Sequence, residues 1–156
     1  MENLTYKKLE SEHLTLSRLV LTIVFVTLSL AYLLMFVLVE QIPLKIFGLK
    51  LLISWSLYLL IFIYTGAAHR RFKYTMNEHG LFIHRGVFWR RKIVVPRNRV
   101  QHTDVTQGPL ERKFDLAELV VHTAGTRNAS VKLPGIYHKD AEALRESLSF
   151  EESDDV

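Results

Sequence analysis

The cations between positions 90 and 99 are the residues with the clearest chemistry in this sequence. They are Arg90, Arg91, Lys92, Arg97 and Arg99. If this segment forms a strand, alternation places Arg90 and Lys92 on one face and Arg91 on the other. Such a basic edge attracts anionic headgroups by about 1 kcal/mol per cation close to a membrane surface. The alternative is a solvated strand whose charges only discourage pairing with other chains.

Three further arginines are candidates for the same contacts. Arg70 and Arg71 follow a long apolar block, where they signal membrane topology and lie within reach of lipid phosphates. Arg112 lies in a loop that mixes apolar and charged residues. That loop contacts a partner or the membrane, or it is a structural crossover in which Leu110 and Phe114 fill the end of a small core.

The seven histidines do not form a recognisable metal motif. His79 and His84 are separated by a predicted turn, and His102 and His122 lie on separate predicted strands. No pair has the i, i+4 spacing of a helical zinc motif, and no carboxylate joins them in a known pattern. Because Cys is absent, disulfides and thiolate sites are excluded. We therefore expect no metal and no cofactor.

Sequence motifs support neither catalysis nor nucleic-acid binding. There is no nucleophile elbow, no paired-carboxylate signature and no phosphate-binding glycine loop, so we expect no enzyme. Residues 69–149 hold 15 Lys/Arg against 8 Asp/Glu, which raises nucleic acid as a partner class. However, no RNA-binding motif is present, and the aromatic residues of this region alternate as in a small core. They are Phe72, Tyr74, Phe82, Phe88 and Trp89.

Two uncharged segments, 19–39 and 51–68, are long enough to cross a bilayer. Both are apolar on all sides, unlike the half-buried helix of a soluble protein. The connector 40–50 is short and contains the helix breakers Pro43 and Gly48. A buried hairpin would need more residues around it than the chain offers, and the first segment is too long for a signal peptide. The sequence therefore predicts a transmembrane helical hairpin.

The distribution of cations predicts the orientation of this hairpin. A short connector makes the helices antiparallel, so both chain ends lie on one side of the membrane. Lys and Arg are enriched on the cytoplasmic side of membrane proteins, which places both termini in the cytoplasm. The flanking cations are Lys7, Lys8, Arg18, Arg70, Arg71 and Lys73, against Lys45 and Lys50 in the connector.

From residue 72 the pattern changes to short β-prone runs separated by Gly, Pro and Asn turns. A final helix is predicted from 138 to 148, with Ala141, Leu144 and Leu148 on one face. This order favours an antiparallel sheet or a partly closed barrel that the last helix plugs. The predicted strands include residues 72–76, 81–84, 87–95, 99–106, 119–123 and 129–133, the last of them ending at Pro134-Gly135.

Several motifs resemble those of bacterial pleckstrin-homology-like domains. Residues 93–101 resemble the I-P-x-x-R-I-Q stretch of these domains, and three more segments match in order and spacing. Two membrane spans followed by one such domain resemble the YdbS-like membrane proteins of bacteria, over roughly residues 15–149. One departure is Asp115, where the family often has Gly; Asp tolerates the positive φ that such a turn requires. The three further segments are 107–112, 119–125 and 133–136.

The resemblance implies an α+β membrane protein, in which a transmembrane hairpin precedes a pleckstrin-homology-like split β-barrel with a C-terminal helix. It also implies a bacterial inner membrane, no known catalysis and, in many cases, a larger companion protein with several similar domains. Some relatives are associated with resistance to membrane-active antimicrobial peptides.

We therefore expect a cytoplasmic segment (1–18), the hairpin (19–68), a cytoplasmic domain (69–149) and an acidic tail (150–156). The expected function is assembly with a membrane-protein partner or with a second copy, in envelope maintenance or antimicrobial-peptide resistance. The alternative is binding of anionic lipid headgroups at the cytoplasmic face. The predicted contact residues are Arg70, Arg71, Arg90, Lys92, Arg97, Arg99 and Arg112.

Overall fold

The computed structural model describes residues 6–39, 43–124 and 130–149. The helices are α1 (Ser11–Leu38), α2 (Leu44–Arg71), α3 (Pro109–Lys113) and α4 (His138–Ser149). The strands are β1 (Lys7–Lys8), β2 (Lys73–Asn77), β3 (Gly80–Arg85), β4 (Arg91–Pro96), β5 (Val100–Thr106), β6 (Leu116–Thr123) and β7 (Ser130–Tyr137). A 3-10 turn, Arg97–Arg99, links β4 to β5.

Helices α1 and α2 form a hairpin of two 28-residue helices. At 1.5 Å per residue each helix is about 42 Å long, which exceeds the hydrocarbon thickness of a bilayer, about 30 Å. Within the described residues, these two helices are long and apolar enough to span a membrane, and their most apolar stretches are not buried inside the protein. Their side chains are therefore left to face lipid.

The prediction that Gly48 breaks the chain between the helices is wrong, because Gly48 lies in the second turn of α2. An isolated glycine costs a helix only about 1 kcal/mol. In a bilayer, the need to satisfy every backbone group within the helix outweighs that cost. Pro43 directly precedes α2 with φ −61°, a position that proline tolerates. Residues 40–42 of the predicted connector lie outside the described residues.

The two helices contact each other through polar as well as apolar side chains. The hydroxyl groups of Thr22 and Tyr58 lie 2.9 Å apart. The Arg18 guanidinium lies 4.1 Å from the centre of the Phe62 ring, a cation–π contact. Arg18 also lies directly over Gly66, where a Cβ atom would meet its guanidinium. Gly66 thus serves the packing of the hairpin itself.

Two antiparallel sheets, ordered β1-β2-β3-β4 and β5-β6-β7, form the domain. Strand β1 precedes the hairpin and β2 follows it, yet they pair with each other. The chain therefore leaves the first sheet, forms the hairpin and returns to the same sheet. Sequence patterns did not predict β1, because a two-residue strand carries no detectable alternation.

The core of the domain lies between the sheets and beneath α4. Ala141 and Leu148 of α4 are buried and Leu144 packs against them, which confirms the predicted apolar face of this helix. The architecture confirms the predicted fold class, with two packed sheets and a C-terminal helix after the hairpin. The fully buried strand residues include Leu81, Ile83, Leu119, Val121, Leu133 and Ile136.

Strand boundaries differ from the prediction by three or more residues at three places, one of them β6, which begins at Leu116 rather than at position 119. Strand β4 begins at Arg91 rather than at position 87, so residues 87–90 are a loop. Strand β7 continues through Pro134 and Gly135; it lies at the edge of its sheet, where a missing N–H donor is tolerated. Asp115 has φ 54°, which confirms the predicted left-handed turn.

The hairpin and the domain are joined by direct contacts at one end of α1. The backbone N–H of Glu10 donates to the Gly135 carbonyl at 3.1 Å. The His13 side chain lies so close to Gly135 that a Cβ atom there would overlap it. Leu9 and Phe72, which flank the two helices, belong to the buried core of the domain. These contacts hold the domain in a defined orientation at the end of the hairpin.

Candidate membrane-facing site

Four basic side chains lie in one line across the first sheet. Lys8 pairs with Lys73, Lys73 with His84, and His84 with Lys92. Residues directly opposite each other in antiparallel strands share a face. Tyr74, Ile83 and Ile93 are the chain neighbours of Lys73, His84 and Lys92, and they pack in the core. Because adjacent residues of a strand point to opposite faces, the line of basic side chains points outward. We call these four residues the cationic row; at about 4.8 Å per strand it is roughly 14 Å wide.

The electrostatics of the cationic row are unfavourable without an anion. Like charges directly opposite each other destabilise a sheet. Within the described part of the chain, none of the three lysines is paired with a carboxylate. The pKa of His84 is lowered, first by partial burial and then by the positive charges of Lys92 and Lys73. The positive charge of the row is therefore not neutralised by any carboxylate among the described residues.

A loop with two exposed aromatic rings borders the cationic row. Residues Gly86–Arg90 connect β3 to β4, and Phe88 and Trp89 are 80% and 84% exposed. The prediction that these two rings fill the core is wrong. The chain turns at Gly86, where φ is 110°, and leaves the sheet before the alternating pattern can apply. We call residues 86–90 the aromatic loop.

The aromatic loop is held against the end of α2. The Arg71 guanidinium donates to the Val87 carbonyl at 2.8 Å. The rings of Phe88 and Tyr64 are nearly parallel, at 11°, with centroids 6.2 Å apart. Tyr64 lies seven residues before Arg71, which is about 10 Å back along the helix. The loop thus extends from the domain toward the membrane, to the level of a residue type that favours the interface.

The structure brings only part of the predicted contact set together. Arg71 holds the aromatic loop, Arg90 belongs to it, and Lys92 belongs to the cationic row. Arg70 precedes Arg71 in the chain, with its Nε atom 3.3 Å from the Gly66 carbonyl. Three of the four therefore lie around the aromatic loop and the adjoining end of the sheet, whereas the Arg70 side chain lies at Gly66, on the side of α2 that faces Arg18.

The other three predicted residues lie elsewhere. Arg97 and Arg99 occupy the 3-10 turn at the far end of β4, roughly 20 Å from the start of that strand. Arg112 is exposed on α3, a helix near α1, and Leu110 beside it is 48% exposed rather than filling the core. The predicted basic edge along one strand is thus divided between two ends of the sheet.

Three members of the cationic row, Lys8, Lys73 and His84, were absent from the predicted contact residues. They lie far apart in the sequence or on different strands, and only the register of the strands places them in one row with Lys92. The two-residue turn between Asn77 and Gly80 sets the register of β2 and β3, and this register places Lys73 opposite His84. Together with the alternation of each strand, the turn is the sequence signal that could have identified this pair.

A second group of polar side chains lies on the other sheet. His102 pairs with His122 across β5 and β6, and their rings stack with centroids 4.2 Å apart. Asp104 places Oδ2 3.2 Å from His122 Nε2 and 4.0 Å from His102 Nε2. Sequence spacing showed no pattern that joins a carboxylate to these histidines, because strand pairing brings the three residues together.

A cleft of about 220 Å³ lies where the hairpin meets the domain. Its lining is mainly apolar, and includes Leu9, Leu14 and Phe72. The ionisable side chains of its lining are those of His13, Tyr64 and His69.

Comparison with known proteins agrees with this architecture. The model of the family described as "Bacterial PH domain" matches residues 14–151. The UPF0699 transmembrane protein YdbS of Bacillus subtilis (strain 168) is 36% identical over 89 residues, which are 57% of this chain and 54% of that protein. The matched stretch thus spans about half the length of this relative. No solved structure matches the chain.

The family match begins inside α1 and extends past α4. It therefore includes both the hairpin and the domain that bears the cationic row. The two names describe a pleckstrin-homology domain and a transmembrane protein, and neither is the name of an enzyme. This chain belongs to the bacterial PH domain family, as a YdbS-like transmembrane protein.

Proposed function

We propose that this chain is a non-catalytic protein of the bacterial inner membrane whose domain binds anionic lipid headgroups at the cytoplasmic face. The observation that carries the proposal is the cationic row: Lys8 and Lys73 are directly opposed, Lys92 follows across His84, and no carboxylate among the described residues pairs with these lysines. A row of like charges is retained at a cost to the sheet, and an anion outside the chain offsets that cost.

The position of the row favours a lipid over a soluble anion. Lys73 lies two residues beyond Arg71, the last residue of α2, so the row begins where the helix leaves the membrane. The aromatic loop lies beside it and presents Phe88 and Trp89 to the interface. Cations and aromatic rings at one depth are typical of surfaces that bind headgroups and the adjoining acyl region together.

The orientation needed for this function follows from the flanking charges. Lys7, Lys8 and Arg71 lie on the side of the domain, whereas the turn between the helices is flanked by Lys45 and Lys50. The positive-inside bias then places the domain and both described chain ends in the cytoplasm. Anionic lipids give this leaflet its negative surface potential, and each cation near it contributes about 1 kcal/mol of attraction.

Native mass spectrometry of the full-length protein tests the proposal. The double variant Lys73→Gln/Lys92→Gln removes two charges from the row, and the matched control Lys132→Gln/Lys139→Gln removes two charges from the second sheet and α4. At about 1 kcal/mol per charge, the row variant should bind phosphatidylglycerol roughly 30-fold more weakly than the control. Phosphatidylcholine binding should not differ. Equal phosphatidylglycerol affinity in both variants would contradict the proposal.

A second candidate function is assembly with another membrane protein or a second copy. Within the described residues, β4 pairs only with β3, and β5 pairs only with β6. Val94, in the middle of β4, is 51% exposed. An exposed strand edge with an apolar side chain is a surface to which a partner strand can add. Envelope maintenance and antimicrobial-peptide resistance are the processes that we propose for such an assembly.

Purification from native membranes in mild detergent tests this second function. Wild-type protein should carry a stoichiometric partner, and Val94→Lys should lose it because a charge now lies on the strand edge. Leu110→Lys, at a similarly exposed apolar position on α3, should retain the partner. Monomers from wild-type membranes would count against assembly while leaving lipid binding intact.

A further inference from the structure

The outer face of the second sheet carries three potential metal ligands in one small area. The candidate ligand atoms of His102, Asp104 and His122 all lie within 4.8 Å of one another. His102 and Asp104 are two residues apart on β5 and share a face, and His122 faces them from β6. Three donors from two paired strands are thus presented on a rigid element.

We propose that His102, Asp104 and His122 bind a divalent transition-metal ion. In a tetrahedral site with ligand bonds of about 2.0–2.2 Å, neighbouring ligand atoms are roughly 3.3 Å apart. The 3.2 Å from Asp104 Oδ2 to His122 Nε2 already meets this geometry; the 4.0 Å to His102 Nε2 requires the exposed His102 ring to turn out of its stack on His122. Two imidazoles and one carboxylate favour zinc and its neighbours over magnesium or calcium.

Nearby charges leave the Asp104 carboxylate available for a metal. Asp104 of β5 pairs with Val120 of β6, and Val120 pairs with Lys132 of β7, so Lys132 lies on the same face as Asp104. Its ammonium is held by the Glu118 carboxylate at 2.8 Å, a hydrogen bond that also raises the pKa of Lys132. The nearest lysine in register is therefore paired with another acid. Asp104 is left facing the two imidazoles.

The exposure of the three side chains indicates an open metal site rather than a closed structural one. The side chains of His102, Asp104 and His122 are 62%, 56% and 32% exposed. Three protein ligands on an open surface leave one or more coordination positions for water or for a donor from another molecule. The site differs in this respect from a closed structural zinc centre, so the domain does not depend on the metal to fold.

The site is independent of the proposed lipid surface. The cationic row lies on the first sheet near α2, whereas His102 and His122 lie toward the end of the second sheet where β5 follows the 3-10 turn. A failure of either proposal therefore leaves the other unaffected.

Titration of the full-length protein in detergent with zinc chloride tests this inference, after removal of any histidine tag. We expect one zinc ion per chain by calorimetry, and a cobalt spectrum typical of nitrogen and oxygen ligands. His102→Gln and His122→Gln should each lower zinc affinity at least tenfold, and Asp104→Asn should lower it as well. His79→Gln, on the β2–β3 turn, is the matched control and should bind zinc as the wild type does.

Each contrary outcome is distinct. Unchanged zinc affinity in His102→Gln and His122→Gln would overturn the proposal, even if the wild type binds zinc, because other histidines would then be the ligands. Absence of binding to the wild type at millimolar zinc would also overturn it. Because all three side chains are partly exposed, the variants should unfold at the wild-type temperature without metal, which separates lost ligands from lost folding.

Discussion

The Phe88 ring lies nearly parallel to the Tyr64 ring, at 11° and with 6.2 Å between centroids. One ring belongs to the domain and the other to a transmembrane helix. Together with the hydrogen bond from Arg71 to the Val87 carbonyl, this contact fixes the aromatic loop at the level where α2 enters the membrane. The loop, rather than the predicted strand edge, is thus the part of the predicted basic region that contacts a transmembrane helix directly.

Removing both exposed rings should release the aromatic loop. Burial of a large apolar side chain contributes roughly 1.5–3 kcal/mol, so Phe88→Ser/Trp89→Ser should speed amide exchange in residues 86–90 by more than tenfold in nanodiscs. Hydrogen exchange with mass spectrometry measures this. Leu110→Ser, an exposed apolar residue on α3, is the control and should leave loop exchange unchanged. Equal exchange in the double variant and the wild type would show that the rings are solvated.

Gly86 should be intolerant of any side chain. Its φ of 110° is unfavourable for L residues, and a Cβ atom would overlap the Trp89 carbonyl oxygen. Gly86→Ala should therefore lower the free energy of unfolding by about 1–2 kcal/mol or more. Gly48→Ala, in a helix with open space around the new methyl group, should cause no loss. Thermal unfolding in detergent compares the two, and an equal effect would contradict the turn geometry.

Asp115 occupies a backbone conformation that glycine adopts more readily. Its φ is 54°, and its carbonyl accepts a hydrogen bond from the His138 N–H at 2.9 Å. Asp115→Gly should therefore be as stable as the wild type or more stable, whereas Asp115→Ala should lose about 1 kcal/mol because alanine lacks the local hydrogen bonding of Asp. Denaturation midpoints of the three proteins give the order. If Asp115→Ala were the most stable of the three proteins, the result would contradict this prediction.

Protonation of His84 should be coupled to anion binding. Burial and the charges of Lys92 and Lys73 lower its pKa below 6.5, so the folded chain binds fewer protons here than the unfolded chain. Stability should consequently fall as the pH falls through about 6.5, and His84→Gln should reduce this slope. Anionic lipid should raise the pKa of His84, because it offsets the neighbouring charges. NMR titration with and without phosphatidylglycerol measures the shift; a lowered or unchanged pKa would contradict the proposed site.

The elements that sequence patterns predicted well are those with long or regular signals. The hairpin follows from two uncharged segments, and α4 follows from the spacing of Ala141, Leu144 and Leu148. The left-handed turn at Asp115 was predicted because Asp, which tolerates a positive φ, stands where the family often has Gly. In each case the signal is local, so no knowledge of strand pairing is needed.

The candidate sites were predicted only in part because they depend on register. Lys8 and Lys73 are separated by the entire hairpin, and pairing of β1 with β2 alone makes them neighbours. The same holds for His102 and His122, which strand pairing brings together. The aromatic loop was missed for a different reason: Phe88 and Trp89 have the side chains of a core strand, but the chain turns out of the sheet at Gly86 and leaves both rings exposed.

The depth of Trp89 tests the central claim most directly. The chain has two tryptophans, so Trp55→Phe leaves Trp89 as the fluorescent probe in the full-length protein. In nanodiscs with lipids brominated near the headgroup end of the acyl chain, we predict a blue-shifted emission with strong quenching by bromine and weak quenching by acrylamide. Emission typical of water, quenched by acrylamide and not by brominated lipid, would contradict a domain seated on the bilayer.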